Sequence, residues 1–420
     1  MRKILSLFMI IVMMFTITAC NASNEKDIVL NSDAISKGDI ADGDDIAVGG
    51  SVKEDVLLDY GSDYSEIAPD TARPEEGTSQ EPGFIAGTLT AGEWKDADDL
   101  NFWTKLLNRN DWYELMKERN LYTNKIVTAY VHDEEGNPCF NVKTQLIDSD
   151  GQTIYTARTD INGKAYMLYN LNNNNEKAAS VLVNNQKFSL KDTSELDISI
   201  EDTGMAVTKL DLMLMIDTTG SMNDELKYLQ EELEDVVKRV SNKNEALSIN
   251  VSVNFYRDES DDYIVMAYDF NKNIAKVLQQ LKSQNADGGG DYPEAVHEAL
   301  NSAVNEHQWR DNAVKLCFLV LDAPPHSESE ISGINSQIQK YIQQAACEGI
   351  RIIPVASSGV DTETEFLLRS FALMTGGTYV FLTDHSGVGD SHLEPTIGQY
   401  TVEALNELMV RVISEYCGIH

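Results

Sequence analysis

Apolar runs alternate with amphipathic stretches from residue 209 to residue 416. The run KLDLMLMID is almost wholly apolar, and NDELKYLQEELEDVVKRV behind it repeats apolar positions at helical spacing. The same alternation continues through AVKLCFLVLD, IRIIPVA and TYVFL, each followed by a helical pattern. Strands that are apolar on both faces lie between two layers of helices. The pattern therefore predicts an α/β fold with a doubly wound, mostly parallel sheet.

One strand of this sheet is predicted to run antiparallel to the others. SINVSVNFYR and YIVMAYDF are separated by a short acidic loop, which is too short for the crossover that joins parallel strands. The two runs are therefore expected to form a hairpin at 248–268. The predicted sheet has six strands, and one edge strand is antiparallel.

Residues 125–203 are predicted to form a small all-β sandwich. Apolar and polar residues alternate in short runs such as KIVTAYVHD, NVKTQLID and KAYMLYNL, and turn signals such as EEGNP, DSDG and TDINGK separate them. The stretch VHDEEGNPCFNVKTQLIDSDGQTIYTARTDINGKAYM also resembles the carboxypeptidase regulatory-like, transthyretin-like sandwich modules of surface proteins.

Residues 84–124 are rich in tryptophan and are predicted to be a helical connector. Trp103, Leu106, Leu107 and Trp112 recur at helical spacing. We interpret this stripe as a packing surface rather than a ligand site.

The opening MRKILSLFMIIVMMFTITAC has the order of a signal peptide: basic residues, an apolar core, then small residues. A signal peptide is predicted at 1–19. The ITAC that ends at Cys20 resembles the bacterial lipobox, which implies cleavage before Cys20 and lipidation of its thiol; an ordinary signal peptide with an incidental cysteine is the alternative. Residues 20–83 read as an acidic, disordered tether. The protein is therefore expected to be exported and lipid-anchored to a bacterial membrane, on its extracytoplasmic side.

The net charge of −35 excludes one class of partner. Nucleic-acid binding depends on positive charge that displaces counterions from phosphates, so no nucleic-acid partner is expected. The cysteines at 139, 317, 347 and 417 are widely spaced, without CxxC or CxxH patterns, which argues against a zinc site.

Oxygen-bearing side chains follow several strands of the predicted sheet. Asp217, Thr219 and Ser221 follow the first strand, Asp322 ends the central strand, and Asp291 precedes a later helix. The carboxyl ends of parallel strands are where such sheets bind ligands. Carboxylates and hydroxyls suit hard divalent cations, and no histidine or cysteine cluster competes. The sequence therefore predicts a cation site with one coordination position left open.

The motifs DTTGSM, GGGDYPEAVHEAL and LVLDAPPH, in this order, resemble the von Willebrand factor type A family, in particular its bacterial and hemicentin-like branches. The resemblance implies a domain at 204–420 with a metal-ion-dependent adhesion site, whose Asp-x-Ser/Thr-x-Ser motif matches DTTGS. Asp322 matches the family's acid at the end of the fourth strand. The family's usual loop threonine is absent, and Asp291 is assigned to its role. The ion expected is Mg²⁺, with Mn²⁺ or Ca²⁺ as alternatives.

A rim around this ion is expected to select the ligand. Arg257, Asp258 and Asp261 follow the second strand, and His326 lies in the loop after Asp322. The predicted function is that of a non-enzymatic surface lipoprotein that binds an Asp or Glu carboxylate of a protein ligand through the ion. A metal-dependent hydrolase and a structural envelope-complex lipoprotein with a purely stabilising ion are the alternatives.

Overall fold

The structure of the protein, a computed structural model, describes residues 84–201, 205–243 and 246–419. The predicted signal peptide, the tether and the lipidation site at Cys20 lie outside the described residues. The strands are β1 (Thr90–Trp94), β2 (Ile126–His132), β3 (Lys143–Asp148), β4 (Thr153–Arg158), β5 (Lys164–Leu168), β6 (Ala178–Val183), β7 (Gln186–Ser189), β8 (Glu195–Ser199), β9 (Lys209–Asp217), β10 (Ser248–Tyr256), β11 (Val265–Met266), β12 (Val314–Leu321), β13 (Ile350–Ala356), β14 (Tyr379–Leu382) and β15 (Glu403–Ala404). The helices are α1 (Leu100–Leu107), α2 (Asn110–Glu118), α3 (Asn223–Lys243), α4 (Ile274–Lys282), α5 (Val296–Asn301), α6 (Ile334–Glu348), α7 (Thr362–Thr375) and α8 (Leu405–Cys417). Within the described ranges, none of these helices has the length and apolar character needed to cross a bilayer.

The main sheet has the strand order β11-β10-β9-β12-β13-β14-β1-β15. Its central strands β10, β9, β12, β13 and β14 are all parallel to their neighbours in that block. They are almost wholly buried because their side chains are apolar on both faces, and helices cover both faces of the sheet. The predicted α/β class with a mostly parallel sheet is confirmed, and the hairpin at its edge is the antiparallel β10–β11 pair.

The prediction of six strands with one antiparallel edge strand was wrong. The sheet has eight strands, and β1 also pairs antiparallel with both β14 and β15. Strand β1 comes from the segment predicted to be only a helical connector. Its sequence TAGEW shows no clear alternation of apolar and polar residues. The strand packs very closely against β14, because a Cβ at Gly92 would lie 2.5 Å from the ring of Phe381. Tertiary packing, rather than local pattern, makes this segment a strand.

Residues 126–199 form two small sheets, β5-β2-β8 and β4-β3-β6-β7, in which β2 and β8 are parallel and the other pairs antiparallel. A separate sandwich domain is not confirmed, because the described residues form one compact unit in which one hydrophobic core runs from these sheets to α6 and α7. Polar contacts cross the same boundary: Tyr155 Oη donates to the carbonyl of Met374 at 2.6 Å, and Arg351 Nη2 donates to the carbonyl of Arg158 at 2.7 Å.

A buried arginine joins the tryptophan-rich segment to α7. Arg369 is fully buried, and its guanidinium binds both carboxylate oxygens of Asp96 at 2.6 and 2.9 Å and Glu365 at 2.9 Å. It also lies over the rings of Trp103 and Trp112, at 5.0 and 5.2 Å from their centroids. Both tryptophans are fully buried, which confirms that the stripe is a packing surface.

We expect Arg369→Met to lower the free energy of unfolding by about 3–5 kcal/mol, because the change leaves the carboxylates of Asp96 and Glu365 buried without a cation. Urea unfolding measures this loss. The control is Arg109→Met, because Arg109 and Asp111 form an ion pair whose side chains are 53% and 51% exposed, and its loss should cost about 1 kcal/mol or less. Equal unfolding free energies for the two variants would contradict the role of Arg369.

Candidate metal centre

Asp217 and Asp322 lie side by side at the carboxyl edge of the main sheet. Their strands, β9 and β12, are adjacent and parallel, so the residues that end them meet at one edge. Both are buried, with 0% and 4% of their surface exposed. Asp217 ends its strand in a tight turn, because its Oδ1 accepts the backbone N–H of Thr219 at 2.8 Å and the hydroxyl of Thr219 at 2.7 Å.

The hydroxyls of the DTTGS motif connect the two acids. Thr219 Oγ1 lies 3.3 Å from Ser221 Oγ, and the Ser221 hydroxyl is close enough to Asp322 to lower the pKa of that carboxyl. The structure thus brings together Asp217, Thr219, Ser221 and Asp322, four of the five residues that the sequence predicts around one ion.

Each of these two acids has an oxygen without a hydrogen-bond partner. In the described part of the chain, Asp217 Oδ2 and Asp322 Oδ1 are buried and make no hydrogen bond. Burial, followed by the charge of Asp322, raises the pKa of Asp217 to about 7. Burial also raises the pKa of Asp322 to about 6, against the lowering effect of the nearby Ser221 hydroxyl. Buried anionic oxygens without a partner are costly, so this pocket suits a cation.

Glu294 is a third buried acid at the site, and it was not predicted from the sequence. It is 3% exposed, and its Oε2 has no hydrogen-bond partner among the described residues. Burial, followed by the charges of Asp217, Asp258 and Asp322, raises its pKa to about 9. The backbone N–H of Glu294 donates to the carbonyl of Pro324 at 3.0 Å, which holds its loop against the loop that follows Asp322.

Asp291, three residues earlier in the same loop, has an exposed side chain. One of its carboxylate oxygens lies in a group with ligand atoms of His326 and Glu330, all within 4.8 Å of one another. The stretch GGGDYPE contains two acids, and nothing in their spacing indicates that Glu294 is the one that turns inward. The inward direction of Glu294 follows from contacts outside the motif, namely the pairing of Glu294 with the Pro324–Pro325 segment.

The predicted rim is less exposed than expected. Arg257 and Asp258 are buried, at 7% and 4% exposed, and Asp261 is half-buried. Arg257 lies over the ring of Tyr263 at 4.6 Å, and Asp258 Oδ1 lies 2.7 Å from Nε2 of the buried His326. These residues hold the surrounding loops in place instead of facing solvent.

The glycine loop before Asp291 lies directly against the DTTGS loop. The N–H of Gly220 donates to the carbonyl of Gly288 at 3.1 Å, and the N–H of Gly289 donates to Asp261 Oδ2 at 2.9 Å. Gly288 has a φ of +80°, and a Cβ there would lie 2.4 Å from Asp261 Oδ1. Only glycine combines this backbone conformation with so close an approach.

We expect Gly288→Ala to destabilise the protein by more than about 1 kcal/mol, because the left-handed backbone alone disfavours alanine by about that amount and the methyl group also overlaps Asp261. Gly290→Ala is the matched control, since its Cβ would meet nothing within 4 Å and its φ is not left-handed. Urea unfolding of both variants checks this. If Gly290→Ala is as destabilised as Gly288→Ala, the close approach at Gly288 is not the cause.

Part of the chain that includes this site is similar to known proteins. Residues 211–384 match the von Willebrand factor A domain. A putative ariadne-like RING finger protein of Acanthamoeba polyphaga mimivirus is 28% identical over 214 residues, which are 48% of this chain and 20% of that protein. An alpha-protein kinase of Dictyostelium discoideum is 23% identical over 118 residues, which are 28% of this chain and 19% of that kinase. The chain thus spans about one fifth of the length of these curated relatives.

Among solved structures, the conserved hypothetical protein BatB from Bacteroides thetaiotaomicron aligns with a TM-score of 0.33 at 11% identity, over 50% of this chain and 99% of BatB. The family match covers the strands and loops that carry Asp217, Glu294 and Asp322. The residues of this site therefore lie within the part of the chain that matches the von Willebrand factor A domain.

Proposed function

We propose that this protein binds a protein ligand through a divalent cation held by Asp217, Thr219, Ser221 and Asp322. A von Willebrand factor A domain indicates an interaction or adhesion role. The metal-dependent form of that role is our proposal, with Mg²⁺ as the first candidate and Mn²⁺ or Ca²⁺ as alternatives.

The unpaired, buried oxygens of Asp217 and Asp322 carry this proposal. Together with the hydroxyls of Thr219 and Ser221 they form an all-oxygen donor set, which suits a hard cation. Glu294 takes the place predicted for Asp291 in this proposal, because its unpaired oxygen is buried beside the other acids. When bound, the ion supplies a position for a carboxylate of the ligand.

The residues around the centre supply the remaining contact area. Tyr292 and Ile264 are 44% and 37% exposed, and both lie on loops that border the site. The hydroxyl of Tyr292 donates to the carbonyl of Gly359 at 3.1 Å, which fixes its ring at the surface. Stable protein interfaces bury about 1,200–2,000 Å², so the ligand must contact such residues besides the ion.

We also propose that the protein acts at a membrane surface, anchored through lipid on Cys20, and that it is not an enzyme. The lipobox-like sequence supports the anchor. An ion that is held by oxygen ligands and binds a ligand carboxylate needs no catalytic base.

We expect Asp322→Asn to have opposite effects with and without the ion. In chelator the variant should be at least as stable as the wild type, because one of the mutually repelling buried charges is gone. In Mg²⁺ at about 100 times the dissociation constant, the wild type should gain about 2.7 kcal/mol of unfolding free energy and the variant much less. Thermal and urea unfolding in both conditions measure this.

Asp150→Asn is the control, because Asp150 lies in an exposed turn, and it should gain stability from Mg²⁺ as the wild type does. An equal Mg²⁺-dependent gain in Asp322→Asn would contradict the proposed ligand set.

Ligand capture tests the adhesive role itself. We expect Asp217→Ala to abolish Mg²⁺-dependent capture of partners from envelope or host extracts, because the ion is lost. Capture that persists unchanged in chelator would contradict the proposal. A purely stabilising ion would raise the melting temperature without affecting capture, and a hydrolase would turn over phosphatase or peptidase substrates and lose that activity in Asp322→Asn.

A further inference from the structure

A second group of ligand-type side chains lies beside the metal centre. His326 follows Asp322 in the loop after β12, Glu330 lies in the turn that follows, and Asp291 comes from the glycine loop. The ligand atoms of Asp291, His326 and Glu330 all lie within 4.8 Å of one another. None of the three belongs to the donor set proposed for the first ion.

The imidazole of His326 is prepared to act as a ligand. It is 8% exposed, and Nε2 lies 2.7 Å from Oδ1 of Asp258, which is itself 4% exposed. A carboxylate accepts hydrogen bonds, so Nε2 carries the proton and Nδ1 has a free lone pair. In the described ranges Nδ1 makes no hydrogen bond, and it faces Glu330 Oε2 at 3.7 Å. A carboxylate that orients a histidine through its other nitrogen is the usual support of a metal-bound imidazole.

The backbone of the loop around His326 is fixed from the side of the tryptophan-rich segment. Arg119 is 4% exposed, and its two terminal nitrogens donate to the carbonyls of His326 at 2.7 Å and Pro325 at 2.9 Å. Glu330 Oε2 accepts the N–H and the hydroxyl of Ser327 at 2.7 and 2.8 Å. Two of the three side chains are therefore held in position before any ion binds.

We propose that Asp291, His326 and Glu330 bind a second cation, a borderline transition-metal ion such as Zn²⁺. An imidazole nitrogen with two carboxylates suits Zn²⁺, whereas the all-oxygen first centre suits Mg²⁺. Ligand bonds of about 2.0–2.2 Å to Zn²⁺ place neighbouring ligand atoms roughly 3.3 Å apart. His326 Nδ1 and Glu330 Oε2 are 3.7 Å apart, and all three ligand atoms lie within 4.8 Å of one another. Asp291 is exposed, so rotation of its side chain would bring its carboxylate to an ion held by the other two.

The second site shares a loop with the first centre without sharing a ligand. The chain runs from Asp322 to His326 within one short segment, and Pro324 in its middle accepts the N–H of Glu294. An ion on His326 would therefore tie together the two loops that also carry the acids of the first centre. This site goes beyond the ligand-binding function, because its occupancy does not require Asp217.

The test is titration of the full chain, purified without a histidine tag, with Zn²⁺ alone in competition with a chromophoric chelator. The wild type should bind one Zn²⁺ that excess Mg²⁺ does not displace. His326→Gln and Glu330→Gln should each lower the affinity at least about tenfold. Asp217→Ala and His385→Gln, which changes an exposed loop histidine, should bind Zn²⁺ as the wild type does.

Three outcomes would overturn the proposal. The first is unchanged Zn²⁺ affinity in both His326→Gln and Glu330→Gln, and the second is displacement of Zn²⁺ by Mg²⁺. The third is loss of Zn²⁺ binding in Asp217→Ala alone, which would place the ion in the first centre. Glu330 is exposed, so Glu330→Gln keeps the test valid even if His326→Gln unfolds, and circular dichroism identifies that case. Loss of Mg²⁺-dependent stabilisation in Asp217→Ala tests the first centre separately.

Discussion

Carboxyl groups that are buried without a compensating positive charge are the constraint on which the rest of this structure depends. Asp217, Asp322 and Glu294 converge at the carboxyl edge of the main sheet, and each has an oxygen that nothing in the described chain binds. Apolar strands bring the first two together, and the glycine loop brings Thr219 and Glu294 within reach of each other. Such a cluster costs free energy in the absence of a compensating cation.

A second buried acidic cluster in the same protein contains its own positive charge. Asp96 and Glu365 are as deeply buried as the acids of the metal centre, yet Arg369 lies between them and binds both. The neighbouring charges that act most strongly on Glu294 are all acidic. This difference between two clusters in one chain supports a functional reason for the missing positive charge, because the fold can supply an arginine where it requires one.

The parts of the site that were predicted from sequence are those encoded locally. Strand geometry and chain order predict where the alternating side chains of DTTGS and the acid at a strand end lie. Asp217, Ser221 and Asp322 could therefore be found from the sequence. Glu294 could not, because its inward direction depends on pairing with a loop 30 residues away. Strand β1 and the contact between Asp258 and His326 were missed for the same reason: both depend on partners that are distant in sequence.

The position of β1 has a practical consequence for the limits of the folding unit. Strand β1 occupies the edge of β14 and in turn receives β15, which leads into α8. A shortened chain that begins at residue 204 would leave the hydrogen-bonding edge of β14 open to pairing with other molecules, a common route to aggregation. Such a chain would also lack Asp96, so that Arg369 would be buried without one of its two carboxylate partners. The smallest piece that can be expected to behave as a well-folded protein therefore begins before Thr90, far upstream of the segment that carries the family signature.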